Sequence, residues 1–151
     1  MLIRELQIND IFDIFVWRND IKTVFYSKKN KKIKFFEHLG WYIRFLINLN
    51  IRIYIGLKKK NQKLLKIGIV RFDIKKKIAT VSINLNPEFR SKKYSSHLLK
   101  LSIKKFLKFK KINLNAIIKN DNLSSIKCFK NNRFILSNSR SKFSIYKKFL
   151  N

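Results

Sequence analysis

A chain of 151 residues, 46% of them hydrophobic and 14% aromatic, is expected to form one folded domain over 1–151; it is too apolar for disorder and too short for two enzyme domains. No run approaches the ~20 apolar residues of a spanning helix, and Arg4, Glu5 and Asp10 interrupt any signal-peptide core at the amino end. A lone Cys128 has no internal disulfide partner and His38 and His97 lie far apart, so a cytoplasmic protein with no metal site and no membrane association is expected.

The 36 Lys and Arg against 8 Asp and Glu give a net charge of +28. Such a field suits a polyanionic partner. Composition supplies a second reading. Lys, Asn, Ile and Phe make up 81 residues, whereas Gly occurs 3 times and Pro once; the abundant types have AT-rich codons, the scarce ones GC-rich codons, so biased codon usage writes Lys wherever a surface tolerates it. Under either reading weak, non-specific polyanion binding at low salt is expected. A dedicated basic nucleic-acid-binding module is the alternative, although no aromatic ribonucleoprotein motif or zinc finger is present.

In chain order, Leu2 to Glu5 predicts a strand, and Asn9 or Asp10 caps a helix bearing Ile11, Ile14, Phe15 and Arg18. Ser27 to Lys34 reads as a basic loop. Phe35, Leu39, Tyr42, Ile43 and Leu46 share one side of a second helix, which contains Gly40. From Ile51 the period changes to two: Ile51, Ile53 and Ile55 alternate with Arg52, Tyr54 and Gly56. A turn at Lys58 to Lys63 leads to a strand at Leu65 to Asp73, and a turn at Lys75 to Lys77 leads to one at Ile78 to Leu85. In this last strand Val81, Ile83 and Leu85 alternate with Thr80, Ser82 and Asn84, one face buried and one polar.

Ser95 to Lys108 predicts an amphipathic helix with Leu98, Leu99, Ser102, Ile103, Phe106 and Leu107 inward. Leu114 to Ile118 reads as a strand. Asp121 or Asn122 caps a helix to about Asn131, and Phe134 to Leu136 with Phe143 to Phe149 form a closing hairpin. Strand, helix and strand from Val81 to Ile118 make a crossover whose helix start faces the carboxyl end of its strand. Free N–H groups and the positive dipole end collect there, and Glu88 to Ser95 carries the chain into it, so a phosphate-bearing ligand is expected.

These residues resemble the GCN5-related N-acetyltransferases. In their pyrophosphate-loop pattern the first position is Arg90, with Lys93 in a glycine position and Ser95 in the small-residue position. The segment Asn122, Ser125, Ile126, Phe129, Arg133 and Phe134 is similar to a second family motif, with Arg133 replacing glycine. The resemblance implies an α/β (α+β) fold: a mixed, mostly antiparallel sheet of six to seven strands flanked by about four helices, its central parallel strands splayed. It implies acetyl-CoA bound by Ile83, Leu85, Arg90, Ser91, Lys92, Lys93, Tyr94, Ser95, Asn122, Ser125 and Phe129.

Trp17-Arg18-Asn19-Asp20, Glu37-His38 with Trp41, and Ile67 to Asp73 look like the branch that acetylates nucleotide-linked amino sugars, and in part like the ribosomal-protein N-terminal acetyltransferases. The first implies a small-molecule amine substrate held by Trp17, Arg18 and Trp41, with His38 in the catalytic role; a silent member of the fold is a third possibility. Phe129 stands where many relatives carry a proton-donating tyrosine. Structural alternatives accompany these roles: His38, Trp17 and Trp41 also suit a helix core, Cys128 an inert buried thiol, and His97 a solvent-facing position with no function.

Overall fold

The computed structural model describes residues 1–150. Seven strands, β1 (Leu2–Glu5), β2 (Ile51–Lys60), β3 (Lys63–Lys75), β4 (Ile78–Leu85), β5 (Asn113–Lys119), β6 (Ile135–Ser139) and β7 (Phe143–Lys148), form one sheet in the order β1-β2-β3-β4-β5-β7-β6. Neighbours are antiparallel except β4 and β5, which run parallel. The described residues also form α1 (Ile11–Asn19), α2 (Ile21–Tyr26), α3 (Phe35–Ile47), α4 (Tyr94–Phe109) and α5 (Leu123–Lys130). None of these helices is long and apolar enough to cross a membrane.

The alternation in β2, β3 and β4 sorts their side chains onto two faces. On one, Tyr54, Val70, Phe72, Ala79 and Val81 meet the α4 stripe Leu98, Leu99, Ile103 and Phe106, together with Cys128 and Phe129 of α5. Phe72 stacks on Phe106 with centroids 4.2 Å apart. On the other, Ile53, Ile55, Leu57 and Ile69 lie beneath Ile11, Ile14 and Trp17 of α1 and Tyr42 and Phe45 of α3. Each such buried side chain contributes about 2 kcal/mol.

Several local expectations are corrected. The polar stretch Lys58 to Lys63 is mostly strand: only Asn61 and Gln62, both at positive φ, turn the β2–β3 hairpin, as a two-residue turn matched to strand twist requires. The inward residues of α3 are His38, Tyr42 and Phe45, whereas Ile43 and Leu46 are each 50% exposed. Apolar residues surround this helix, so periodicity alone does not choose its face. The first helix ends at Asn19 as its residues imply, and an additional short helix, α2, starts after Asp20, whose carboxylate accepts a hydrogen bond from the Thr23 N–H at 3.2 Å. Asp10 occupies the position before α1 without capping it; its buried carboxylate accepts from the Gln7 N–H at 2.9 Å and from Arg4 and Lys66 at 2.7 and 2.9 Å. Gly68 lets β3 pass close to the end of β4, since a Cβ there would lie 2.5 Å from the Asn84 carbonyl oxygen.

Candidate active site

β4 and β5 pair only at their beginnings, Ile78 with Asn113, Ala79 with Leu114 and Thr80 with Asn115. From Val81 onward β4 stays in register with β3 alone, to Leu85 opposite Gly68, while β5 from Ala116 to Lys119 pairs with β7. The two parallel strands therefore part into a wedge, one edge carrying Ile83 and Leu85. A sheet edge inside a protein that no strand covers is a row of peptide donors and acceptors awaiting a partner.

The chain leaves β4 through a short turn at Pro87–Phe89 and reaches α4 by way of Arg90 to Lys93. Ser91 (φ 59°) and Lys93 (φ 61°, ψ 7°) adopt the left-handed conformation that favours glycine. Lys93 precedes α4 without a side-chain cap, which leaves the first N–H groups of a 16-residue helix free at its positive end. Arg133, the other residue standing in a motif glycine position, has φ 64°. Both positions thus combine a glycine-like backbone with a basic side chain.

Asn122, rather than Asp121, caps α5: its side-chain oxygen accepts from the Ser125 N–H at 3.1 Å. Since α4 follows the end of β4 and α5 follows the end of β5, both helix starts face the open end of the wedge. Tyr94 accepts a hydrogen bond from the Lys58 ammonium through its hydroxyl, and Ser91, Lys92 and Lys93 are exposed around it. Among the residues expected at this end, Arg90, Ser91, Lys92, Lys93, Tyr94 and Ser95 are contiguous at the mouth, with Ile83 and Leu85 on one wall and Asn122 and Ser125 beyond the other strand. Phe129 is set apart: it is buried and meets Phe134 edge to face at 5.0 Å, in the core beneath α5.

A contribution absent from the sequence reading comes from α2, which spans the open ends of both strands. Thr23 donates to the Asn84 side-chain oxygen at 3.1 Å on the β4 side. On the β5 side Lys119 donates to the Phe25 carbonyl at 2.6 Å and to Asn30 at 3.1 Å. Arg90 donates to Asp20 at 2.5 Å and to the Thr23 hydroxyl at 2.9 Å, joining α2 to the loop before α4. The signal available in sequence was Asp20 three residues ahead of Thr23, a helix-start spacing.

The expected residues of α1 and α3 divide between core and surface. Trp17 is 3% exposed and belongs to the core. His38 is 1% exposed, lies against Phe15, Trp41 and Tyr42, and donates from Nε2 to the Ile11 carbonyl at 3.0 Å. Its Nδ1 is buried without a partner, and burial lowers its pKa, which favours the neutral ring. This arrangement gives His38 a packing role and opens no path from its ring to solvent. Trp41 is half-buried beside Arg71, which lies over its ring and pairs with Asp73. Arg18 is half-buried and makes no side-chain hydrogen bond among the described residues. Cys128 is buried, its thiol pushed up to about 11 by desolvation, and His97 is exposed. A cavity of about 480 Å³ lies elsewhere, lined by Lys100, Ile103, Asn131, Asn132, Arg133 and Lys148.

A seven-stranded mixed sheet with a central parallel pair splayed at its carboxyl end, a helix start at the splay and helices on both faces is the fold of the GCN5-related N-acetyltransferases. A domain from Methanocaldococcus jannaschii matches with a TM-score of 0.87 at 23% identity, over 99% of this chain and 97% of that one. The Campylobacter jejuni N-acetyltransferase PseH, solved in complex with acetyl coenzyme A, matches with a TM-score of 0.73 at 20% identity over 99% and 100%. The Vibrio cholerae spermidine N-acetyltransferase, in complex with CoA and spermine, gives 0.79 at 16% identity over 97% and 92%. No family profile and no curated relative matches the sequence.

Proposed function

We propose that this chain is an acetyl-CoA-dependent N-acetyltransferase acting on a primary amine, and that the amine belongs to a nucleotide-linked amino sugar. The observation that carries the reading is the parting of β4 from β5 after Thr80 and Asn115, with the free start of α4 at the open end. An extended amide-bearing arm satisfies an uncovered strand edge, and a diphosphate suits a helix start flanked by cations. Acetyl-CoA combines the two and supplies an acetyl group on a thioester.

The residues fit that cofactor. The β4 edge at Ile83 and Leu85 offers backbone groups to the arm and an N–H to polarise a carbonyl. Ser91 and Lys93 hold the left-handed backbone that a phosphate-binding turn favours, and Arg90, Lys92 and Lys93 add charge. Asn122 and Ser125 line the far side. The amine must be held neutral and close to the carbonyl, and α2 above the wedge is the wall proposed to position it. Phe129 has no proton to give and is buried, so the departing thiolate takes its proton from another group or from water. The phosphates of a nucleotide-linked acceptor suit the +28 field, which would draw it in.

Calorimetry with acetyl-CoA, followed by release of free thiol in the presence of candidate amines, tests the proposal. Saturable binding and amine-dependent thiol release are expected. No heat at millimolar cofactor and low salt would overturn it.

A further inference from the structure

The chain has 28 lysines, and α4 shows how they are placed: Lys100, Lys104 and Lys108 are exposed opposite the buried stripe. α3 departs from this pattern. No lysine occurs from Phe35 to Leu57, and the outward face of α3 is formed by Phe36, Gly40, Ile43 and Ile47, at helical spacing and opposite the buried His38, Tyr42 and Phe45. Phe36 is 83% exposed and Ile47 74%. The patch continues onto α1, also free of lysine, through exposed Val16 and Phe12, whose ring stacks on Phe35 at 5.4 Å. An apolar helix face turned away from the core, where a free monomer would tolerate charge, marks a surface that a partner covers.

Two details identify the partner. The first is Gly40. A Cβ at Gly56 would lie 2.6 Å from Leu98 Cδ1 and one at Gly68 2.5 Å from the Asn84 carbonyl oxygen, whereas one at Gly40 would meet nothing within 4 Å. Glycine is a poor helix former, so nothing within the monomer favours it in the middle of α3. A second helix crossing there does, because a small residue at the crossing point lets two helix axes approach closely. The second detail is charge. Glu37 and Arg44 lie on the same flank of the stripe, three residues before Gly40 and four after it, and neither forms an ion pair among the described residues. A two-fold axis near Gly40, lying between two such helices and perpendicular to them, reverses the helix direction and keeps the flank. It sets Glu37 opposite Arg44 of the partner subunit, twice over. A face with one charge of each sign and no lysine is poorly suited to an anionic membrane or an acidic protein and complements itself.

We propose that α3 pairs with α3 of a second copy of this chain, the two helices crossing antiparallel at Gly40 in an isologous dimer. The apolar stripes cover each other and supply the association, and the two charge pairs fix its direction. Each copy carries +28, so the copies repel at long range, and salt screens that repulsion over about 8 Å at physiological strength. The dimer therefore tightens as salt rises, the opposite of polyanion binding. The pairing is independent of what the wedge binds.

Sedimentation equilibrium of the full chain, at physiological salt and at about 0.5 M, tests this. Expected is a mass twice that of one chain, with a lower Kd at the higher salt. Ile43→Lys should be a folded monomer. Gly40→Leu separates shape from stickiness: leucine favours the helix and adds apolar surface, yet should raise Kd roughly 10-fold or more by blocking the crossing. Arg44→Glu and Glu37→Arg should each raise Kd roughly 10-fold, and an equimolar mixture of the two should return it to within about threefold of wild type, since opposite charges then face each other in the mixed dimer. A monomer at roughly 0.1 mM protein in both salts, whether free or held by this face on phosphatidylglycerol vesicles, would overturn the proposal. So would open-ended assembly, tighter association of Gly40→Leu, or no recovery on mixing the two charge variants.

Discussion

Arg90 and Asp20, 70 residues apart in sequence, form a 2.5 Å ion pair that fastens the loop before α4 to the start of α2. The same aspartate accepts the Thr23 N–H. Burial pulls the Asp20 carboxyl up, but the bonds from Arg90 and the Thr23 N–H prevail and hold it below its ordinary value. A residue expected to face a diphosphate is thus already committed to a carboxylate, so the proposed cofactor contact and the placement of α2 would share one guanidinium.

Replacing Asp20 with Asn releases that guanidinium and removes a negative charge from the mouth. The expected result is about threefold to tenfold tighter acetyl-CoA binding, measured by calorimetry, together with a stability loss of about 1 kcal/mol from the lost pair with Arg90, asparagine being able to keep the bond from the Thr23 N–H. Arg90→Ala should weaken cofactor binding and loosen α2 as well. If Asp20→Asn left the affinity untouched, the pair would be structural only.

Asp10 governs acid stability. Burial pushes its carboxyl up, yet hydrogen bonds from Arg4, Lys66 and the Gln7 N–H outweigh this and hold it at about 2. A depressed folded value means stability that is present above the unfolded carboxylate range near 3.9 and lost as pH falls toward 2, about 2 kcal/mol in all. Urea unfolding between pH 5 and 2 should show this slope. Asp10→Asn should flatten it and cost about 3 kcal/mol at neutral pH by leaving Arg4 and Lys66 facing each other without their shared anion.

His38 provides a separate pH signature. Burial lowers its pKa, the bond to the Ile11 carbonyl opposes this and the Arg18 charge lowers it further. Its contribution to stability is therefore present above the unfolded value near 6.5 and declines as pH falls below it. His38→Phe should remove that decline from a melting curve series while changing turnover by less than about threefold. A loss of activity of a hundredfold or more in a folded His38→Phe protein would return the histidine to the reaction.

How much the sequence disclosed follows from how local each feature is. The alternation of β4 and the inner stripe of α4 come from periodicity beside charged neighbours, and the structure buries Val81 and the α4 residues Leu98, Leu99, Ser102, Ile103 and Phe106 as expected, whereas Ile83, Leu85 and Leu107 are only partly buried. On α3 the abundance of Ile and Phe blurs the period, and tertiary packing selects His38, Tyr42 and Phe45. The separate helix after Asp20 was hidden because one residue turned out of helical geometry leaves the apolar pattern almost intact. The bond from Thr23 to Asn84 and the pairing of Arg90 with Asp20 are long-range, and no local pattern records them. The wedge was anticipated from family resemblance; nothing in the alternation of Ile78 to Leu85 distinguishes a strand paired along its length from one paired for three residues.

Lys93 and Arg133 sit at φ 61° and 64° in a chain with 3 glycines, where an L side chain costs about 1 kcal/mol relative to glycine. Since the backbone already has the required shape, a glycine at either place relieves strain without rebuilding the loop. Lys93→Gly and Arg133→Gly should each raise the melting temperature by about 3 °C, as expected for ~1 kcal/mol in a domain of this size. The two then diverge. Lys93 is exposed at the mouth, so its loss removes a cation from the proposed diphosphate site while opening space for the backbone to approach, and acetyl-CoA affinity should change by less than about threefold. Arg133 lies at the turn after α5 beside Lys148, whose pKa is lowered by burial and then by Arg133 itself. Arg133→Gly should therefore leave cofactor affinity unchanged and raise the Lys148 pKa, visible by NMR titration of its ammonium. A tenfold gain in acetyl-CoA binding on Lys93→Gly would instead mean that the lysine Cβ, rather than its backbone strain, is what limits the site.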